Sequence, residues 1–554
     1  MTLSYGDSKK PMDATPWYKN AVFYQVYLRA FKDSNGDGFG DLKGLTQELD
    51  YLEELGVDCI WLMPISPSPL KDDGYDIADY YTVAEMYGNL DDFQEFLDAA
   101  HDRNIRLIMD LVMNHTSNEH PWFESARRHR RSPFRDYYEW SDTDKLYQDA
   151  RVIFVDVESS NWAWDQSAQQ FYWHRFYSSQ PDLNYDNPKV QEEMLNVARF
   201  WLAFGVDGLR ADAVPYLFER EGTNCENLPE THEYLKKLRA QIEQDFPSSM
   251  LLCEANQPAE DVRAYFGNSD EFHMAFHFPL MPRMYMAIGK GRVDDLRAIL
   301  DRTPSIPADC QWCTFLRNHD ELTLEMVSEE EREWMWEHFA PEARMRLNLG
   351  IRRRLAPLMD NDRRKILLMN SLLFTLPGSP IIYYGDEIGM GDNIWLPDRN
   401  GVRTPMQWNT DLNAGFSEAP ADRLYAQVID DDVYGPKRVN VRDQRNDAGS
   451  LWHTLRTMLG VRKANTVFGS GSLEWLDLEN HSIAGFRRGE DSNHVLCLHN
   501  LSDSSQSVVI RQGAASRDLL SGESYTADKL ARGIELSPYQ YLWLADEGPQ
   551  ETAS

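Results

Sequence analysis

The chain has 554 residues, 42% hydrophobic and 12% aromatic, enough for one large domain plus one or two smaller ones. Against 56 Lys and Arg stand 89 Asp and Glu, a net charge of −33, which disfavours nucleic acid, anionic membranes and acidic substrates and leaves a neutral sugar or a divalent cation as fitting partners. The first ten residues lack an apolar signal core and no apolar run reaches about 18 residues, so a soluble, cytoplasmic protein is expected.

After a polar arm, the aromatic and β-branched run 21–31 predicts a strand. A Gly-rich loop and a helical pattern over 42–55 follow, then a strand over 57–65, a helix over 89–103 and a strand over 105–112. The alternation continues with strands near 204–210, 250–254, 272–278, 312–317 and 380–384, helix-like segments lying between most of them. Eight parallel strands joined by helices predict an α/β fold, a TIM (β/α)8 barrel. An open doubly wound sheet is the alternative, but no Gly-x-Gly-x-x-Gly follows the first strand.

Two stretches break the rhythm. Residues 115–190, after the third strand, read as an inserted, aromatic, loop-rich domain, too long for an ordinary connection. Residues 321–370, after the seventh, read as a helical, charged, lid-like insertion. Its Arg352-Arg-Arg354 run is expected to be a solvated helix face or an intramolecular pairing surface. The catalytic barrel then spans 1–114 and 191–465, an antiparallel β-sandwich domain 466–548, and a disordered tail 549–554. The six cysteines read as reduced core residues, and Cys310-x-x-Cys313 lacks the second pair a zinc site needs.

In such barrels chemistry sits at the C-terminal ends of the strands. The first strand leads into Asp33-Ser-Asn-Gly-Asp-Gly-Phe-Gly-Asp41, where Asp33, Asn35, Asp37 and Asp41, with the Phe39 carbonyl, make a candidate Ca²⁺ or Mg²⁺ loop. An Asn/Gly turn with incidental acids is the plain alternative. The third strand ends in Asp110-Leu-Val-Met-Asn-His115 and the fourth in Gly208-Leu-Arg-Ala-Asp212. There Arg210 and Asp212 point to one face, and the guanidinium should keep the carboxylate ionised, as a nucleophile requires. Read alone, the pair is a structural ion pair. The fifth strand ends in Leu251-Leu-Cys-Glu254, whose carboxyl can hold a proton through desolvation, and the seventh in Arg317-Asn-His-Asp320. Two carboxylates in unlike environments are what glycoside chemistry needs, and a third can stabilise an oxocarbenium ion.

These four regions, Asp110…His115, 208–212, Glu254 and 318–320, resemble the diagnostic regions of the α-amylase family of glycoside hydrolases. The resemblance implies Asp212 as nucleophile, Glu254 as acid/base and Asp320 as transition-state stabiliser. It further implies that Asp76, His115, Arg210 and His319 hold a glucosyl unit, that Tyr75 stacks beneath its ring, and that Arg403, in the motif Gly401-Val-Arg-Thr-Pro-Met-Gln-Trp408, pairs with Asp76 at the blind end. Asn114, Asp182 and the segment Tyr216-Leu217-Phe218-Glu219 resemble the family's structural Ca²⁺ site. No organic cofactor is implied.

Gln180-Pro-Asp-Leu-Asn184 resembles the branch holding oligo-1,6-glucosidases and enzymes that isomerise maltose to trehalose. The stretches 214–232, 273–283 and 349–357 resemble the isomerising members; Pro258 departs from the Trp usual in the branch. The implied reaction is conversion of maltose to trehalose through a β-glucosyl-aspartate, with minor hydrolysis to glucose; an α-glucosidase or oligo-1,6-glucosidase is the alternative. Asn256 and Glu321 are candidates for gripping the mobile glucose. The expected partner is a small disaccharide, and a homo-oligomer is left open.

Overall fold

The computed structural model describes residues 15–490, 493–511 and 514–546; the tail 549–554 lies outside them. Eight strands close into a parallel barrel: β1 (Phe23–Val26), β2 (Cys59–Leu62), β3 (Arg106–Val112), β4 (Gly208–Asp212), β5 (Met250–Cys253), β6 (Met274–Phe276), β7 (Gln311–Phe315) and β8 (Ser379–Tyr383). Each pairs with the next in chain order, and β8 closes onto β1 in the register Phe23↔Ile381. The (β/α)8 expectation holds, although the strands are shorter than their apolar runs. Residues Phe23–Val26 are all buried, and the chain then turns into the buried helix Leu28–Phe31. A fully buried strand and a buried helical turn are equally apolar, so composition does not mark the join.

The helices that deliver the catalytic strands have clear local causes. Asn89 and Asp92 form a capping box on Leu90–Asp102, which leads into β3. Asn187 caps Pro188–Phe204, with Pro at the first turn, and Gly205 ends it at φ 108°. At the start of β4, a Cβ on Gly208 would stand 2.4 Å from the Met250 carbonyl oxygen, so glycine there lets β4 and β5 approach.

Between β3 and β4 lie the helix Pro121–Arg128 and a three-stranded sheet ordered Trp140–Ser141, Gln170–Trp173, Trp162–Asp165. Its aromatics pack on one another, as Phe123 on Trp140 and Trp162 on Trp173, building a local core rather than a sugar-binding face. Between β7 and β8 the helix Glu329–Phe339 is accompanied by a small sheet of Leu322–Thr323, Gly350–Ile351 and Arg346–Leu347. Two-residue strands leave no periodicity, which is why the sequence reads this segment as helical throughout. The arginine run is not a helix face. Arg352 donates to the Leu396 and Asp398 carbonyls, Arg353 pairs with Asp392 at 2.9 Å, and buried Arg354 pairs with Asp386 at 3.1 Å.

The last part of the chain folds into antiparallel sheets of six and two strands with a small core of their own. Trp543 Nε1 donates to Ser371 Oγ at 2.8 Å, and buried Arg462 donates to the Phe374 and Gly378 carbonyls at the end of helix Arg363–Thr375. All six cysteines are free and buried. Among the described residues no helix is long and apolar enough to cross a membrane.

Candidate active site

Asp212 is the last residue of β4, Glu254 follows β5 directly, and Asp320 lies just past β7, so the barrel ends bring all three carboxylates to one pocket. Behind them the buried Arg210 guanidinium meets three carboxylates: Nη1 reaches Asp110 and, at 2.6 Å, Asp212, while Nη2 meets Glu254 at 2.5 Å. The residue after Asp212, Ala213, sits at φ 54°, a strained conformation for a non-glycine residue, with its N–H directed at Glu254 Oε2 at 3.4 Å.

Burial pushes the Glu254 carboxyl up to about 8; Arg210 opposes this and the nearby Asp212 charge adds to it. Arg210 does pull the Asp212 carboxyl down, as expected, but it is not the largest influence on it. Burial raises that carboxyl too, and Arg210, shared three ways, only pulls part of it back. Asp212 still carries the charge of the pair at neutral pH, because protonated Glu254 hydrogen-bonds to it and the pair's proton rests on Glu254. Asp320 is the opposite case. Burial opposes its ionisation, yet His319, Arg399 and Arg403 hold its carboxyl well below the usual range. Burial keeps the His319 ring itself neutral, so the two guanidiniums are the charges that do this.

The pocket opens to solvent, with about 840 Å³ of empty space when its open mouth is included. Tyr75, His115, Asn256, His319 and Glu321 line it with the three carboxylates. Tyr75 lies parallel to His319 at 5.2 Å between ring centres. Two expected residues do not reach the wall in the expected way. Asp76 accepts from Ser68 Oγ and the Lys71 and Asp72 amides, so it builds the turn below the pocket. Arg403 pairs with Asp73 at 2.5 Å and Asp320 at 3.1 Å, not with Asp76. The acid on the wall is Asp72, paired at 2.6 Å with Arg399, which also meets Asp320 at 2.7 Å. Gln180 stands behind, its Nε2 2.9 Å from Asp72 and 3.2 Å from His115. Asp72 and Arg399 were missed; the adjacent acids Asp72-Asp73 and the Asp398-Arg399 pair just before the 401–408 motif were the available signals.

The model of the α-amylase catalytic domain matches residues 25–345 and 351–471. The chain belongs to the α-amylase family. Within that family it is 55% identical, over 95% of its length and 87% of the relative's, to the trehalose synthase/amylase TreS of Mycobacterium tuberculosis. It is 50% identical to the trehalose synthase of Pimelobacter, covering 99% of both chains. Among solved structures, the trehalulose synthase MutB of Pseudomonas mesoacidophila superposes with a TM-score of 0.79 at 28% identity, over 96% of this chain and 100% of MutB.

Two further features of this α-amylase family member sit beside the pocket. The first is a set of three buried oxygens without hydrogen-bond partners: Asn114 Oδ1, Asp182 Oδ2 and Glu219 Oε1. Burial pushes Asp182 up to about 7, and Glu219 is raised by burial and by the charge of the neighbouring Asp182. Two carboxylates and an amide oxygen are hard-oxygen donors of the kind Ca²⁺ takes; the carbonyls of Tyr216 and Leu217, expected beside them, are not among these orphaned groups. The loop 33–41 differs. Asp33 accepts from the Asn35, Gly36 and Gly38 amides and from Ser417, and Asp41 caps the next helix through the Gly44 amide. No buried side-chain oxygen there is left orphaned, and at neither place, nor elsewhere among the described residues, do three or more His, Cys, Asp or Glu gather to hold a metal.

The second feature is a roof. Arg151 of the insertion after β3 pairs with Glu325 of the segment after β7 at 2.7 Å and with Glu226 at 2.8 Å, and donates to Tyr216 Oη. Asp156 accepts from the Asn348 amide at 2.7 Å, tying the same two segments again. Phe154, Phe176 and Tyr216 form an aromatic wall beneath. No sequence motif joins Arg151 to Glu325, which lie far apart in the chain.

Proposed function

We propose that the protein isomerises maltose to trehalose by intramolecular glucosyl transfer. Glu254 protonates the glycosidic oxygen while Asp212 attacks C1, giving a β-glucosyl ester and a free glucose. Asp320, fixed by Arg399 and Arg403, carries the charge opposite the oxocarbenium-like transition state. The glucose turns over in place, its anomeric hydroxyl loses a proton to Glu254, and its oxygen displaces Asp212 from C1. Two inversions at C1 return the transferred glucosyl unit to α, and the second anomeric centre is α because the glucose reacts through its α-anomeric hydroxyl.

The observation that supports transfer over hydrolysis is the roof, because water competes for the ester unless the pocket stays closed. Glu321, whose carboxyl burial pushes up to about 7 and which accepts from Asn348, and Asn256 both line the pocket, which supports them as the groups that hold the turning glucose. Incubation with maltose, followed by NMR, is expected to show α,α-1,1 product exceeding glucose; glucose alone would leave the α-glucosidase reading. Arg151→Ala removes both ties to Glu226 and Glu325 and is expected to lower trehalose formation several-fold while raising the glucose share, read on the same spectra.

A structural Ca²⁺ at Asn114, Asp182 and Glu219 is part of this reading, its support being the three orphaned oxygens. The loop 33–41 is a second candidate, its exposed Asn35 and Asp37 accepting from the Asp37 and Phe39 amides in the structure. Calcium would neutralise the facing Asp182 and Glu219 carboxyls next to the pocket wall and take no part in the chemistry. Chelation with EGTA is expected to lower the melting temperature by roughly 2–4 °C, and Asp182→Ala to abolish that response.

A further inference from the structure

Trp395 is the most exposed large apolar side chain among the described residues, at 74%. It is not on a loose loop. Arg352 donates to the carbonyls of Ile394, Leu396 and Asp398, and its Nε donates to that of Arg344. The carbonyls either side of Trp395 are therefore pinned inward. One face of the indole is covered by the Arg344 guanidinium, 3.8 Å from the ring centre, and Arg344 is itself held by Glu342 at 3.2 Å. The side chains of Arg344 and Glu342 are half exposed.

A rigid indole face beside a carboxylate and a guanidinium is the chemistry that recognises a pyranose: the ring's C–H face packs on the apolar surface, and the polar pair bonds its hydroxyls. The loop also runs straight into the pocket. Asp398 accepts from Tyr177, and Arg399 pairs with Asp72 and Asp320. Three residues separate Trp395 from Arg399, and the four steps between them span at most roughly 14 Å of chain. From this continuity with the sugar pocket we propose that Trp395, with Arg344 and Glu342, forms an outer binding platform for α-glucan chains, distinct from the disaccharide pocket. The role of this platform is recruitment of longer α-linked glucosides to the enzyme surface. Nothing in it touches the reacting atoms, so it does not alter turnover of a disaccharide already bound.

The test uses the full chain carrying Asp212→Asn, so that no glucan is consumed, and affinity electrophoresis through gels containing soluble amylose. The parent is expected to be retarded. Trp395→Ala should weaken the apparent affinity about ten-fold, and Trp395→Phe should retain most of it. In the active enzyme, Trp395→Ala should leave kcat and KM for maltose unchanged. The proposal is overturned if the parent is not retarded, if Trp395→Ala is retarded equally, or if Trp395→Ala alters only the size-exclusion elution volume, which would make Trp395 a contact between copies. None of these outcomes bears on whether maltose yields trehalose, so the two readings fail separately.

Discussion

Asp212→Asn is expected to abolish turnover of maltose and trehalose, with kcat falling at least about 10⁴-fold, while the protein stays folded. An amide keeps the shape of the carboxyl group but cannot form the glucosyl ester. Stability should hold because Arg210 keeps two carboxylates, Asp110 and Glu254, so no buried cation is left without a partner. Rates from NMR and a thermal melt, run side by side, check both halves. Retained turnover would remove Asp212 from the nucleophile's place. Binding should survive better than turnover, since Asp72, Arg399, His115 and Tyr75 contact the pocket independently of residue 212. Saturation-transfer NMR with maltose on the variant reads that directly.

The barrel was legible because its strands are almost wholly buried and separated by helical repeats, and because Asp212, Glu254 and Asp320 stand at or just past strand ends. Asp212 and Glu254 could be placed from position alone. The pocket's far side was not legible to the same degree. The turn between Ser68 and Asp76 contains Leu70, Asp73 and Gly74 at positive φ, and this irregular backbone decides which acid faces inward. No period-based argument predicts that Asp72, rather than Asp76, meets an arginine. Arg403 was found by its motif but given the wrong partner for the same reason. The roof was invisible for another cause. Arg151, Glu226 and Glu325 come from three segments whose approach depends on the folded insertions, and each residue taken singly is an ordinary surface charge. The balance of Asp212 was misjudged because one guanidinium had been assigned to one carboxylate, whereas the fold divides it among three.

Glu254→Gln is expected to slow maltose conversion by about 10²–10⁴-fold, the usual contribution of a positioned acid. It should spare a substrate whose leaving group needs no proton, such as α-glucosyl fluoride, in the first step. In the parent enzyme the acid form is present below about 8 and is lost as pH rises through that value, so the rate should fall on the alkaline side. The variant has no such group, and its residual rate should lose that limb. In the proposed cycle the same electrostatics would let one residue serve both half-reactions. After burial, the Asp212 charge is what holds the Glu254 proton on, against the pull of Arg210. Once Asp212 is esterified that charge is gone while Arg210 remains, so the Glu254 carboxyl becomes a stronger acid at the moment it must act as a base. A pH profile measured from glucosyl fluoride with glucose as acceptor should therefore show activity persisting to lower pH than the maltose profile's alkaline limb alone would suggest. If Glu254→Gln keeps the alkaline limb near pH 8, another group carries the proton and this cycle is wrong.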